Sequence, residues 1–342
     1  MKAFLASAPP ESAAFDPAAV EFDRVTKAFG SHQVLKELSF TVKKGEIVSL
    51  LGPNGAGKTT AISLMLHLLR PGSGRIRVFG LVPGDSKLRQ RVGAMLQDVK
   101  APDGLKTGEV IRLFRSYYRS PLPYERLMDM AGLHREESRM ASALSGGQRR
   151  RLAFALCMAG NPDLVVLDEP TAGMDVEARL RFWEVIRALK SDGKTILLTT
   201  HHLEEADAVS DRITVLMDGK IAAQGSPAEL KSSLALRTIS FRLTGLEDDE
   251  RGDRAMDRGV DRGMDRAVER AAERFARWDG VERAETSGGR IILYARETDA
   301  LLSRLMAEGG NVAGGRITDL EVNSATLEAA FRAIVEGGRS GS

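Results

Sequence analysis

The sequence predicts an α/β fold: a mixed-sheet core, an antiparallel β subdomain, a helical subdomain and a small α/β accessory domain towards the C-terminal end. Three observations carry this. The apolar run Ile47–Leu51 (IVSLL) leads into a glycine-rich stretch and then into Ala61–Leu69, where Ile62, Leu66 and Leu69 recur at helical spacing. Two further apolar runs, Leu164–Leu167 and Thr195–Thr200, end in the polar pairs Asp168–Glu169 and His201–His202. Between the first and second runs, residues 98 to about 160 change to helical character, as an insertion between two strands of one sheet.

The elements follow in order. Residues 1–19 read as a disordered tail. From Val20 to Val42, Phe22, Val25, Leu38, Phe40 and Val42 alternate around Gly30-Ser31, which predicts antiparallel strands. Phe29 precedes that turn; it suits either the end of a strand core or stacking on a flat ring. Arg70-Pro71-Gly72-Ser73-Gly74 is a turn. Arg75–Phe79 and Val92–Leu96 are short strands, the second ending at Gln97. Thr107 with Glu109 starts a helix through Tyr118, and Leu122-Pro123 starts another to Met130. Arg212–Met217 and Lys220–Ala223 flank Asp218-Gly219, a hairpin with a type I′ signal. Pro227 opens a short helix that closes the first domain near Leu234.

The chemistry lies at the ends of these elements. Gly52, Pro53, Asn54, Gly55, Ala56, Gly57, Lys58, Thr59 and Thr60 fit the phosphate-loop pattern G-x-x-x-x-G-K-[ST], in the strand–loop–helix setting it requires. The glycines let backbone N–H groups turn inward, and the helix adds its positive end. Lys58 is placed to reach β- and γ-phosphates, and Thr59 to ligate Mg²⁺. No third glycine follows Gly57, which excludes the dinucleotide-binding fingerprint. Ser145 and Gln148 have the spacing of a capping box, and Gly146 and Gly147 between them expose N–H groups to an anion. Asp168, delivered by four apolar residues, is a Walker B acid that holds Mg²⁺ through water, and Glu169 is placed to take a proton from an attacking water. His201 stands where sheets of this kind bind ligands. His201, His202, Glu204 and Glu205 lack the H-E-x-x-H spacing of a zinc site.

Composition narrows the partners. The balance of 49 basic against 47 acidic residues leaves a net charge of +2, which argues against general nucleic-acid binding, a function that needs a basic face. No nucleic-acid partner is expected. Cys157 stands alone, so no internal disulfide can form; it reads as core in an apolar helix. The longest apolar run, Leu152–Gly160, reaches only about 14 Å as a helix, against a hydrocarbon core of about 30 Å. The opening residues are too short in apolar character for a secretory signal. A cytoplasmic location is expected, unless a membrane partner holds the chain.

Residues 236–336 predict the accessory domain, with strands at Thr238–Leu243 and Arg290–Arg296 and helices at Thr298–Glu308 and Thr326–Glu336. Within it, a charged repeat insertion occupies about 247–274: Asp-Arg at 253, 257, 261 and 265, then Glu-Arg at 269 and 273. It reads as an exposed helix or loop without chemistry.

Taken in order, the phosphate loop, Gln97, Leu144-Ser145-Gly146-Gly147-Gln148, Leu164–Pro170 (LVVLDEP), Ala172-Gly173-Met174-Asp175 and His201 resemble the ATPase subunit of ATP-binding cassette (ABC) transporters, a P-loop NTPase fold. The resemblance covers about residues 20–230 and places the ATP-binding domain at 20–234. It implies ATP and Mg²⁺ as cofactors and ATP hydrolysis as the reaction. It implies a head-to-tail dimer, of two copies or with another ABC ATPase, in which each ATP meets the phosphate loop of one subunit and Ser145, Gly146 and Gly147 of the other. It further implies Glu169 as general base, His201 as the γ-phosphate partner and Asp175 as a cross-interface contact. Gln97 would hold Mg²⁺ and water and relay to the membrane subunit, and Phe29 would stack on adenine.

Ile317–Val322 with Ala325–Phe331 is similar to the tail of daunorubicin-resistance-type exporter ATPases, although the usual ending there is closer to S-L-E-D-V-F. That likeness implies an exporter of drug, lipid or polysaccharide type. The chain would dock on a separately encoded integral-membrane permease, peripheral on the inner face of the cell membrane. An importer ATPase or a non-transport ABC ATPase is the alternative. Ribosome-acting types usually carry two cassettes, and DNA-repair types interrupt the cassette with long coiled coils; this chain has neither.

Overall fold

The computed structural model describes residues 18–97, 104–234, 236–245, 260–307, 311–312, 315–323 and 326–339. The expected tail lies outside them up to residue 17, as does the charged repeat before Val260. Ala19 is buried and donates its N–H to Val42 O at 2.7 Å. The chain divides into two compact units between Pro227 and Ala228.

The first unit opens with β1 (Val20–Phe29) and β2 (His32–Val42), an antiparallel pair around Gly30. Strand β3 (Ile47–Leu51) follows, then helix α1 (Lys58–Met65). Strand β4 (Ser73–Val78) pairs with β1 and completes a three-stranded antiparallel sheet, β2-β1-β4. After β5 (Val92–Met95) come α2 (Thr107–Arg115), α3 (Tyr124–Ala131) and α4 (Gly146–Met158). Then β6 (Leu164–Asp168), α5 (Val176–Ser191), β7 (Thr195–Thr199), α6 (Leu203–Val209), β8 (Arg212–Met217) and β9 (Lys220–Gly225) close the unit.

The second sheet has the order β5-β6-β7-β3-β8-β9. Its first five strands are parallel, and β9 is antiparallel at the edge, turned by Asp218 and Gly219 at φ 47° and 79°. Strands β3, β6 and β7 are buried at every residue, as parallel strands covered on both faces must be. Their side chains alternate between two cores. Ile47, Val165, Leu167, Ile196 and Leu198 pack with the α2–α5 helices; Val48, Leu50, Leu164, Val166 and Leu197 pack with α1 and the antiparallel sheet. The strand order has one consequence for function. Strands β6, β7 and β3 lie side by side and run the same way, so residues just past Asp168, Thr199 and Leu51 share one edge.

Helix α1 begins at Lys58, earlier than the apolar spacing from Ala61 suggests, because Gly57 serves as N-cap in a left-handed conformation. Helix α4 carries the expected capping box: Gln148 N–H donates to Ser145 Oγ at 3.3 Å, and Ser145 N–H to Gln148 Oε1 at 2.9 Å. The sixteen residues of α5 do not appear in the sequence reading above. Asp175 caps that helix, accepting from Ala178 N–H at 2.8 Å, and Phe182, Trp183, Ile186 and Leu189 form its buried face.

The second unit contains most of α7 (Pro227–Leu234), then β10 (Arg237–Thr244), α8 (Val260–Phe275), β11 (Arg283–Ser287), β12 (Arg290–Ala295), α9 (Thr298–Ala307), β13 (Asn311–Val312), β14 (Gly315–Asn323) and α10 (Leu327–Arg339). Its sheet is antiparallel, in the order β11-β12-β10-β14-β13. From β10 to β14, setting aside the two-residue β13, the succession is β-α-β-β-α-β with the first strand between the third and fourth. This is the split βαβ arrangement. Ile239, Phe241 and Leu243 of β10 and Ile291, Leu293 and Ala295 of β12 form its core with α8 and α9. In α8 the charged pairs at 269–270 and 273–274 point outward, while Val268, Ala271, Ala272 and Phe275 are buried. Over Val268–Phe275 the repeat therefore leaves an apolar stripe between its charges.

Candidate functional site

The residues past Leu51 leave the sheet as a loop that only glycine can make at two points. Gly52 has φ 153°, and a Cβ there would lie 2.2 Å from Leu216 O. Gly57 has φ 105°, and its Cβ would meet Leu35 Cδ2 at 2.6 Å. Because α1 starts at Lys58, the N–H groups of its first turn have no carbonyl within the helix to bond. The Lys58 side chain folds back over the loop, donating to Gly52 O at 2.7 Å and Pro53 O at 3.0 Å. Burial holds its ammonium below the ordinary lysine range, against the opposing pull of Glu169 and Asp168.

Asp168 ends β6 and is buried. Its carboxylate accepts from Thr199 Oγ1 at the end of β7, and from Thr59 Oγ1 at 3.4 Å. Glu169 follows with φ 52°, a left-handed backbone in a residue that is not glycine. Two bonds hold it there: its N–H donates to Thr199 O at 3.2 Å and to Thr199 Oγ1 at 3.1 Å. Such a conformation costs roughly 1–3 kcal/mol and persists where the surroundings fix it. Its carboxylate meets His201 Nδ1 at 2.6 Å. The Glu169 side chain is 16% exposed and that of His201 61%, so the acid is the more buried of the pair.

These groups surround one cleft of about 660 Å³, within the range of small-molecule sites. Asn54, Gly55, Gly57, Lys58, Thr59, Thr60, Gln97, Asp168, Glu169 and His201 line it. His32 and Val34 line it too, without any signal in the sequence, as does Ala172 from the Ala172-Gly173-Met174-Asp175 motif. Gly52 and Pro53 contribute through the carbonyls that hold Lys58, and Ala56 is buried in the loop. Phe29 is not among the lining residues. It is 49% exposed, with Lys27 Nζ 5.2 Å from its ring centroid. Ser145, Gly146, Gly147, Gln148 and Asp175 do not line this cleft either; they stand at the starts of α4 and α5. The two starts touch, since a Cβ on Gly147 would lie 2.9 Å from Gly173 O.

The donor set suits a magnesium polyphosphate. A glycine-lined loop, unbonded N–H groups and an ammonium match phosphate oxygens. The Thr59 hydroxyl and the Asp168 carboxylate are hard oxygen ligands of the kind Mg²⁺ takes beside waters and phosphates. Among the described residues no group of three or more His, Cys, Asp or Glu side chains could hold a metal by itself.

Fold and cleft together define a phosphate-loop protein of the NTPase class. Comparison with known proteins narrows this. Residues 35–172 match the family model described as ABC transporter. The chain is 40% identical over 225 residues to the Nod factor export ATP-binding protein I of Paraburkholderia xenovorans, covering 63% of this chain and 73% of that protein. It is 36% identical over 245 residues to the daunorubicin/doxorubicin resistance ATP-binding protein DrrA of Streptomyces peucetius, covering 70% and 74%. Among solved structures, it is similar to a dimeric ATP-binding cassette in a post-hydrolysis state bound to ADP and Pi, with a TM-score of 0.56, 28% identity and coverage of 60% and 98%. The chain belongs to the ABC transporter family, as an ATP-binding ATPase subunit.

Proposed function

We propose that this chain hydrolyses ATP to drive an exporter, with the cleft at the ends of β3, β6 and β7 as its catalytic half-site. The observation that carries the reading is the 2.6 Å contact of Glu169 with His201, across from a phosphate loop whose Thr59 already bonds Asp168. Lys58 and the N–H groups of the loop bind the β- and γ-phosphates. Thr59, Asp168 and Gln97 hold Mg²⁺, which when bound neutralises charge developing on the phosphate oxygens. Glu169 takes the proton of the attacking water, and His201 orients that carboxylate and contacts the γ-phosphate. Phe29, exposed at the end of β1, stacks on adenine.

Ser145, Gly146, Gly147, Gln148 and Asp175 stand apart from the cleft of their own chain. A second copy, or a related ATPase, supplies them in a head-to-tail dimer that closes on two ATP molecules. Hydrolysis then depends on closure, and closure transmits force to the membrane. A similar solved structure, dimeric and bound to ADP and Pi, supports the dimeric part of this reading. The direction of transport follows the two named relatives, which are export and drug-resistance proteins. Residues 20–227 form the catalytic domain, and the accessory domain takes in most of α7 before residues 236–336. A separately encoded permease supplies the membrane path, with this chain on its cytoplasmic face.

The test is purification of the tagged chain from detergent-solubilised native membranes. A multi-spanning protein recovered in stoichiometric amount is the expected result. Recovery with ribosomes or DNA-repair factors alone would leave the ATPase standing and overturn the transport reading.

A further inference from the structure

Glu205 lies in the first turn of α6 and is 8% exposed. It is not among the residues lining the cleft. Both of its carboxylate oxygens accept from the Thr171 hydroxyl at 3.0 Å, and Oε2 also accepts from Thr200 Oγ1 at 3.2 Å. Thr200 Oγ1 accepts in turn from His202 N–H at 3.0 Å, and Arg179 Nε of α5 stands 3.8 Å from Glu205 Oε1. Thr171 comes two residues after Glu169, and Thr200 comes immediately before His201. One buried carboxylate therefore grips both loops that meet in the Glu169–His201 contact. A buried charge is retained at a cost unless it is paired and hydrogen-bonded, and here its partners are drawn from the two loops and α5.

We infer that Glu205 is a positioning residue for ATP hydrolysis, fixing Glu169 and His201 relative to each other through Thr171 and Thr200. The inference rests on the reading of Glu169 and His201 as the hydrolytic pair. A small displacement of such a pair is expensive: about 1 Å costs on the order of a hundredfold in rate. Nucleotide binding, set by the phosphate loop, does not pass through Glu205.

The experiment measures turnover at saturating ATP and affinity for a fluorescent ATP analogue, using the full chain. Glu205→Ala is expected to lower kcat by about tenfold or more while the dissociation constant stays within about threefold. Glu205→Gln keeps an oxygen for Thr171 and should recover most of that loss. Thr171→Val removes one hydroxyl without opening a cavity, so it should lower kcat in the same direction even if Glu205→Ala folds poorly. The decisive readout is a double-mutant cycle. In a His201→Ala background, Glu205→Ala should cost less than about threefold of the residual hydrolysis, because the contact it sets is already gone. The same fold loss in both backgrounds would overturn the inference, as would parental turnover in Glu205→Ala. Parental turnover in Glu169→Gln would instead remove the hydrolytic reading beneath it.

Discussion

At the scale of single residues, Glu169 and His201 meet because two neighbouring parallel strands end at the same level. Thr199 is the hinge of that meeting: its carbonyl and hydroxyl hold the Glu169 N–H, while its hydroxyl also bonds Asp168. Replacing Glu169 by Gln keeps size and removes the proposed base. Turnover should fall by about 10²- to 10⁴-fold with ATP affinity retained, as read by single-turnover hydrolysis beside equilibrium binding. The lining residues from the phosphate loop, Asp168, Glu169 and His201 were legible in sequence because each ends or follows an apolar run. His32, Val34 and Glu205 were not. The first two reach the cleft from β2, far away in the chain, and Glu205 acts through a three-dimensional contact with Thr171 that no local pattern encodes.

At the scale of elements, burial and capping decide which substitutions the protein tolerates. Leu167 is fully buried in β6 and faces the helical core. Leu167→Ala should cost about 2–5 kcal/mol in chemical denaturation, the range for a truncated core leucine. Ser145 separates structure from chemistry. As an N-cap alone, its replacement by Ala should cost about 0.5–2 kcal/mol of stability. As a γ-phosphate ligand in the partner's site, the same change should also lower kcat several-fold, a loss that capping energy does not produce. Most elements were readable from period and turn chemistry: the β1–β2 hairpin, the buried runs β3, β6 and β7, and the capped start of α4. Helix α5 shows the opposite case. Its Asp175 cap and its Phe182, Trp183, Ile186 and Leu189 face follow the helical period, but in the sequence Asp175 stands out only for its place in a motif. Strand β11 has a mostly exposed pattern with no apolar alternation to reveal it; it exists because β12 offers it a partner.

At the scale of the whole molecule, Cys157 reports on the unit that holds it. It is buried in the helical core, and burial pushes its thiol up to about 12, so at neutral pH it is neither exposed nor a thiolate. Labelling by a thiol reagent should therefore proceed only through opening of that core. Nucleotide that binds the folded form and not the open one should slow it. With ATP at about a hundred times its dissociation constant, linkage predicts about 2.7 kcal/mol, or roughly a hundredfold slower labelling. Labelling unaffected by ATP would mean that the opening leaves the nucleotide cleft intact. The βαββαβ order of the second unit could not be read from sequence, because strand order depends on pairings between residues as far apart as Thr238 and Asn323.

The left-handed backbone of Glu169 carries a consequence for how this protein can change over generations. Selection for a robust fold and selection for a working catalyst pull in opposite directions at this position. A glycine would relax the backbone and, on the proposed role of Glu169, would abolish ATP turnover. Comparing thermal unfolding of Glu169→Gly with Glu169→Ala isolates the backbone contribution, with Gly expected to be the more stable by about 1 kcal/mol. Lineages that lose the need for hydrolysis are then free to drift towards that residue, trading activity for endurance.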